Sequence, residues 1–388
     1  MFRPWVVVRE RYAGMSQRLV GRAANSHIAR CVGSLRRRAV DHGADYRRRV
    51  PEPQESPVVF ELDGVEVQVT NPSKVFFAER GETKLDLVHY YLAVAGPLMR
   101  AIGGRPLLME RHPNGAGGSS FFQKRVPTGA PDWLRTAVLR SPNGTPSNAL
   151  VAHDMAHIVW AVNSGCLGVH VWPVRADAPQ FTDELRIDLD PQPGTDFDDV
   201  RAAAFEVQSL LDEVGIRCFP KVSGSKGIHI WVRLESRWDG IEVRSAAVAL
   251  ARELERRRPD LLTARWWKEE RGQRVFVDFN QNAPHKTMFA AWSVRPRVGG
   301  QVSMPLTWDD VGSVEPEDIT IATVPGLLAD RGDAWETIDD ELQTLDPLLE
   351  WHARDWAAGL PDAPWPPHYP KMPHEPPRVS PSRARRAT

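Results

Sequence analysis

Leu185-Arg186-Ile187-Asp188-Leu189-Asp190-Pro191 is the stretch on which the reading of this chain turns. Side chains alternate along a strand, so Leu185, Ile187 and Leu189 are predicted to enter a core while Asp188 and Asp190 share the opposite face. Pro191 cannot donate to a sheet ladder and is predicted to end the strand. Two carboxylates held that close repel each other unless a cation lies between them. Hard divalent ions, Mg²⁺ or Mn²⁺, suit such a pair and commonly complete their shell with substrate phosphates. A lone Asp-x-Asp is more often a solvated pair at a strand end, so the rest of the chain has to decide.

On either side of this strand, helical and strand patterns alternate. Val58–Leu62 and Val65–Val69, joined through Asp63-Gly64, predict a hairpin. Thr83, with Asp86 three residues on, predicts a capped amphipathic helix carrying Leu85, Val88, Leu92 and Ala95. Residues 196–214 place Val200, Ala203, Val207, Leu210 and Leu211 at helical spacing, with Gly215 as the cap. Strands are predicted over 216–222 and 228–234, a helix over 241–257, and a strand over 274–279 that brings a third carboxylate, Asp278. The fold class this implies is mixed α/β.

The global numbers exclude several function classes. A chain of 388 residues can bury a large core, and 42% hydrophobic with 26% charged residues is ordinary for a soluble globular protein. No apolar stretch is long enough to span a bilayer. Cys31, Cys166 and Cys218 are isolated, which argues against a zinc finger or a disulfide framework. The formal charge of −1 conceals an asymmetry, since both ends are basic and the middle is acidic. The first fifty residues carry a dozen arginines, no lysine and only Glu10, Asp41 and Asp45 as acids. Residues 1–56 are expected to be a disordered basic extension. If they bind DNA, deleting 1–52 would weaken binding and flatten its salt dependence. The catalytic body is expected over 57–335, a helical extension over 336–360, and a disordered proline-rich basic tail over 361–388.

Four further clusters carry potential chemistry. Ser223-Gly224-Ser225-Lys226-Gly227 offers backbone N–H groups, a hydroxyl and an ammonium to an anion, although a small-residue turn between two strands has the same composition. It is not a Walker loop, because the spacing and the following helix are both missing. Asn71-Pro72-Ser73-Lys74 follows a predicted strand and equally reads as a plain turn. Phe121-Phe122-Gln123-Lys124-Arg125 sets two aromatics beside two cations, a combination suited to stacked bases and phosphates but also to a core edge. His170 lies in the apolar run Gly168-Val169-His170-Val171-Trp172, where a histidine is commonly structural.

In order along the chain, TNPSKVFF (70–77), FFQKR (121–125), GVHVW (168–172), RIDLDP (186–191), SGSKGIHIWV (223–232), VDFNQN (277–282) and SVRPR (293–297) resemble the polymerase domain of bacterial end-joining ligases, a branch of the archaeo-eukaryotic primase superfamily. The resemblance runs from about Pro57 to Trp335. It implies that Asp188, Asp190 and Asp278 are catalytic, metal-binding carboxylates holding two Mn²⁺ or Mg²⁺ ions. It implies that His170, Ser223, Lys226, Arg271 and Arg295 hold an incoming NTP or dNTP. Asn71, Lys74, Phe121, Phe122 and Lys124 then match DNA-contacting positions. Where the family often has a lysine for a 5′-phosphate, this chain has Glu110 followed by Arg111. The implied activity is template-dependent nucleotidyl transfer to a primer 3′-hydroxyl at gaps or breaks in DNA. The implied setting is a bacterial, nucleoid-associated cytoplasmic protein with separately encoded ligase and end-binding partners, since no adenylation lysine motif is found.

Two other functions share parts of this pattern. A metal-dependent nuclease also uses three carboxylates, but it has no need of Ser223, Lys226, Arg271 and Arg295. A non-catalytic DNA-end-binding scaffold has no chemical reason to keep mutually repelling acids together.

Overall fold

The computed structural model describes residues 9–12, 55–380 and 383. The carboxylate strand, Thr182–Pro191, is the middle of a five-stranded sheet. Across that sheet the order is Phe219–Val222, Ile228–Trp238, Thr182–Pro191, Val275–Val277 and Leu262–Thr263, antiparallel except for the last pair. Leu185, Ile187 and Leu189 are buried as the alternation requires. Helices Phe197–Glu213 and Gly240–Arg257 pack against the carboxylate strand and against each other. Both start from aspartate caps, Asp196 and Asp239, that close reciprocal capping boxes with Asp199 and Glu242.

A second sheet of four strands is ordered Met288–Phe289, Cys166–Val171, Leu107–Arg111 and Phe121–Gln123. It carries His170, Glu110 and the phenylalanine pair. The Arg186 guanidinium joins the sheets, donating to the Val171 carbonyl at 3.0 Å. The hairpin Val58–Leu62 and Val65–Val69 has its predicted bounds, turning at Asp63 (φ +50°) and Gly64 (φ +81°) as a two-residue primed turn requires.

Several sequence expectations are corrected. The helix capped by Thr83 runs Lys84–Ala93 and buries Leu87, Val88, Tyr90 and Tyr91. Leu85 and Leu92 are only half-buried, and Ala95 starts a second helix, Ala95–Ile102. The strand expected over 216–222 begins only at Phe219, on a sheet edge that tolerates Pro220. The next strand continues to Trp238. Asp278 lies just past its strand, where its side chain caps a short 3₁₀ turn over Phe279–Asn282.

At the chain ends, Arg9–Tyr12 pairs antiparallel with Val58–Leu62, so the disorder expected for the basic extension does not hold for those four residues. The remainder of that extension, and with it the proposed DNA-binding arm, lies outside the described residues. The tail expected to be disordered from 361 is docked as far as it is described. Trp365 and Tyr369 are buried with Ala283 in a small apolar cluster, flanked by Met372. Prolines exclude regular structure there, but two large aromatics still find a surface to cover. Between body and tail, helix Asp346–Ala357 packs on Gly240–Arg257.

Candidate active site

The antiparallel register brings the third carboxylate to the first two. Leu189 pairs with Val277 and Asp190 with Phe276, so Asp278 follows directly beside Asp188, whose carbonyl accepts the Asp278 N–H at 2.9 Å. On the other flank Asp188 pairs with His229. The anion loop is seated on the same strand: a Cβ at Gly227 would lie 2.7 Å from the Leu189 carbonyl oxygen, so only glycine allows this approach. Within the loop the Ser223 hydroxyl accepts from the N–H groups of Ser225 and Gly227, both at 3.1 Å. The Arg295 guanidinium donates to the Ser223 carbonyl at 2.6 Å and lies over the Phe289 ring at 3.8 Å. Arg295 follows a strained turn in which Trp292 takes φ +64°, held by bonds from its N–H to the Ser303 carbonyl (2.7 Å) and from the Tyr90 hydroxyl to its carbonyl (2.8 Å).

Asp188, Asp190, Ser223, Lys226 and Arg295 line one cleft of about 370 Å³, with Lys226 exposed at its mouth. His170, Phe122 and Lys124 line a neighbouring cleft of about 350 Å³ together with Trp172, Gln281 and Lys286. Gln281 connects the two, donating to Asp278 Oδ2 at 2.9 Å while it lines the second. Arg271 lies close enough to Asp190 and Asp278 to feel both charges, but it spends its donors on the Arg265 (3.1 Å) and Trp266 (2.9 Å) carbonyls.

The remaining DNA candidates, Asn71, Lys74 and Phe121, line neither cleft. Asn71 (φ +48°) and Lys74 form a separate turn, where the Lys74 ammonium donates to the Pro113 carbonyl at 2.6 Å. Nearby, the Lys84 ammonium donates to the Thr70 carbonyl at 2.6 Å, and burial together with the Lys74 charge lowers its pKa to about 8. Phe121 and Phe122 are 47% and 57% exposed on the edge strand, an unusual cost for paired aromatics.

Electrostatically the three aspartates are unsettled. Burial, only partly offset by Arg295 and Lys221, raises Asp188 to about 6. Burial and the Asp188 charge raise Asp190 to about 6 and Asp278 to about 7. Among the described residues no three such side chains are already gathered as a metal shell. The donor set nevertheless fits Mg²⁺ or Mn²⁺: hard carboxylate oxygens on one strand and at the end of its neighbour, with the Asp188 charge raising the pKa of both Asp190 and Asp278.

An acid whose folded-state pKa is raised destabilises the fold as it ionises. For Asp278 that penalty is absent below about pH 4, grows until about pH 7 and persists above it. Asp278→Asn is therefore expected to stabilise the metal-free protein at pH 8 by on the order of 1–3 kcal/mol, with little change at pH 4. Thermal melts in chelator at both pH values measure this; a destabilised variant at pH 8 would contradict it.

Three side chains not singled out as site residues from the sequence complete the site. Lys221, buried and opposite His229 in register, donates to His229 Nδ1 at 2.9 Å and to the Ser303 hydroxyl. Accepting at Nδ1 leaves the His229 proton on Nε2, 3.3 Å from Asp188 Oδ1, and burial with the neighbouring Lys221 charge keeps the ring neutral by lowering its pKa well below the ordinary value. Polar residues at alternating positions within apolar strands were the available signal. Glu110 is the third. Its carboxylate receives His170 Nε2 at 3.1 Å and His112 Nε2 at 3.3 Å. Burial works to raise the Glu110 pKa, but these two donors outweigh it and hold the group below its ordinary value. Glu110 thus orients His170, whose ring also meets Phe122 and Phe289 edge-on. Arg111 is committed as well, to the Ser164 carbonyl (2.6 Å) and Gln123 (2.5 Å).

The chain is similar to known proteins over most of its described length. Residues 83–335 match the family model of the LigD primase-polymerase domain. The multifunctional non-homologous end joining protein LigD of Mycolicibacterium smegmatis is 32% identical over 310 residues, 79% of this chain and 40% of that protein. The bifunctional LigD of Bacillus subtilis is 31% identical over 268 residues, 69% of this chain and 43% of that protein. This chain therefore spans well under half the length of these relatives. Among solved structures, the polymerase domain from Mycobacterium tuberculosis Ligase D in complex with DNA superposes with a TM-score of 0.67 at 30% identity, covering 71% of this chain and 99% of that one. The mixed α/β fold is that of the polymerase domain, and the chain belongs to the LigD primase-polymerase domain family.

Proposed function

We propose that this protein is a template-dependent nucleotidyltransferase that extends a primer 3′-hydroxyl at gaps or breaks in DNA, using NTPs or dNTPs. The observation that carries this reading is the convergence, in one cleft, of Asp188 and Asp190 with Ser223, Lys226 and Arg295, with Asp278 just past the end of the adjoining strand and bonded to the Asp188 carbonyl. Carboxylates alone would serve a nuclease equally, whereas a loop of N–H groups beside two cations is suited to a triphosphate. Asp188, Asp190 and Asp278 would hold two divalent ions, which when bound would supply Lewis-acid activation of the 3′-hydroxyl and charge neutralisation at the α-phosphate. Ser223 and the loop amides orient the phosphates, Lys226 and Arg295 neutralise the departing pyrophosphate, and the Glu110-held His170 faces the neighbouring cleft where sugar and base would lie. Arg271 adds positive charge near Asp190 and Asp278.

Single-stranded template suits the exposed Phe121 and Phe122 with Lys124, because bases stack on aromatic rings while phosphates meet the ammonium. The turn of Asn71 and Lys74, with Lys84 beside it, sets two ammonium groups together, an arrangement relieved by an anion such as a 5′-phosphate. Residues 57–335 form the catalytic unit in this reading, acting in the bacterial cytoplasm at the nucleoid with a separate ligase and an end-binding protein. No helix among the described residues is long and apolar enough to cross a membrane.

The deciding experiment is extension of a labelled primer on gapped DNA with Mn²⁺ or Mg²⁺, comparing ribo- with deoxyribonucleotides. Extension supports the reading, shortening of the primer supports the nuclease, and binding without change of length supports the scaffold. Lys226→Ala is expected to raise KM for the nucleotide by about tenfold, the worth of one charge-assisted phosphate contact, with the fold intact because its side chain is exposed. Steady-state kinetics would show an unchanged KM if the loop does not hold the triphosphate.

A further inference from the structure

We propose that the C-terminal segment 361–378, which lies beyond the family-matched residues 83–335, is a brace that sets the position of the Asp278 turn. The proposal deepens the polymerase reading, resting on Asp278 as a reactive-centre carboxylate. Its hub is Arg244, 1% exposed on helix Gly240–Arg257. From there the guanidinium donates to Asn280 Oδ1 at 2.9 Å, to Asp362 Oδ1 at 3.1 Å and to the Ala363 carbonyl at 2.8 Å, and it lies over the Trp365 ring at 3.9 Å. Asn280 in turn donates from its amide to the Pro364 carbonyl at 3.0 Å, while its backbone N–H caps Asp278 Oδ1 at 3.0 Å. On the far side, the Tyr369 hydroxyl donates to the Pro284 carbonyl.

The segment therefore grips the turn at 280 and at 284, on both sides of Gln281, whose amide holds Asp278 Oδ2. Its own shape is fixed by Glu375, which accepts from the Trp365 and Met372 N–H groups and from Arg378. Without the brace, Arg244 would keep Asn280 as its one hydrogen-bond partner in a buried position, and the 3₁₀ turn would be tethered only at its ends, by the Asp278 N–H on the Asp188 carbonyl and by Asn282 on the Arg186 backbone, leaving Asn280 and Gln281 between them less firmly held. Among the described residues the Pro364 carbonyl is the acceptor of the Asn280 amide and Tyr369 the donor to the Pro284 carbonyl, so these two contacts are the segment's own contribution to the turn.

The test uses the full chain with Trp365→Ala, Tyr369→Phe and, as the conservative control, Trp365→Phe. Hydrogen–deuterium exchange over 279–286 is expected to rise in the first two, at least tenfold in Trp365→Ala, with no change over 223–232. Affinity for Mn²⁺ alone, read by the electron paramagnetic resonance of the free ion, is expected to fall about tenfold, as when a group orienting a metal ligand is removed. Primer extension should lose kcat without a change in nucleotide KM, excess Mn²⁺ should restore it, and Trp365→Phe should behave nearly as the unaltered chain. Unchanged exchange and Mn²⁺ affinity, or exchange raised evenly over the whole molecule, would overturn the brace. Absence of extension by the unaltered protein would overturn the polymerase reading instead, and the exchange and metal measurements would still decide the brace.

Discussion

Replacement of Asp188 by alanine is expected to reduce primer extension by about 10³-fold or more, the several kcal/mol that metal-held charge stabilisation contributes to a phosphoryl transfer. Asp188 is the shared member of the site. Its charge acts on both Asp190 and Asp278, its carbonyl fixes the Asp278 backbone, and His229 Nε2 approaches its carboxylate. Neither His229, a buried neutral donor, nor Gln281, an uncharged amide, can replace its carboxylate. The same change removes a carboxylate that burial disfavours, so the metal-free variant is expected to melt no lower than the unaltered protein. Loss of extension accompanied by a lower Tm would mean that the residue holds the fold rather than the reaction. Residual extension within tenfold of normal would remove Asp188 from the chemistry.

The largest effect on stability is expected from Glu184→Ala, four residues upstream on the same strand. Glu184 is 3% exposed, accepts from Arg186 (2.6 Å) and Arg233 (2.5 Å) and is ion-paired with Arg105 at 2.8 Å, while Asp183 accepts both Arg105 donors and pairs with Arg175. Removing Glu184 leaves three buried guanidinium groups short of a counter-charge, which costs about 3–5 kcal/mol. A fall of about 10 °C in Tm follows for a domain of this size. The pH signature has a definite sign: the surrounding arginines outweigh burial and hold Glu184 down at about 2. Its contribution is therefore complete above its ordinary pKa near 4.3 and disappears as pH falls toward 2. The variant should lose less stability than the unaltered protein over that interval. A Tm within 2 °C of normal at neutral pH would show the network to be energetically neutral.

Features governed by local rules were legible in the sequence. Period-two alternation identified the carboxylate strand, and 3.6-residue spacing closed by Gly215 identified helix Phe197–Glu213 nearly to its ends. Asp-Gly located the hairpin turn. Other features depended on partners distant in sequence. Helix Lys84–Ala93 packs Leu85, Val88 and Leu92 on the core as the spacing implies, but also buries Leu87, Tyr90 and Tyr91, because the core covers more of the helix than one stripe. Asp278 read as part of a strand because Val275, Phe276 and Val277 alternate no further, and only the Asn280 N–H bond shows that the ladder has already ended. Lys221 and His229 sit in runs whose composition is that of a core, so their pairing needed the register between strands 219–222 and 228–238. The tail was misjudged on average composition, although burying Trp365 and Tyr369 was enough to dock it. Glu110 acquires a role only once strand pairing brings it to His170.

The outermost strand of the four-stranded sheet, Phe121–Gln123, has colloidal consequences. It presents an unpaired backbone edge and two exposed phenyl rings to water, the features through which sheets adhere to one another. Lys124 and Arg125 follow immediately and keep like surfaces apart by charge. That repulsion is screened within a few ångströms at molar salt, while the stickiness of the rings is not. Concentrated, salt-rich solutions should therefore drive these molecules into reversible clusters, and a short single-stranded oligonucleotide covering the rings should disperse them.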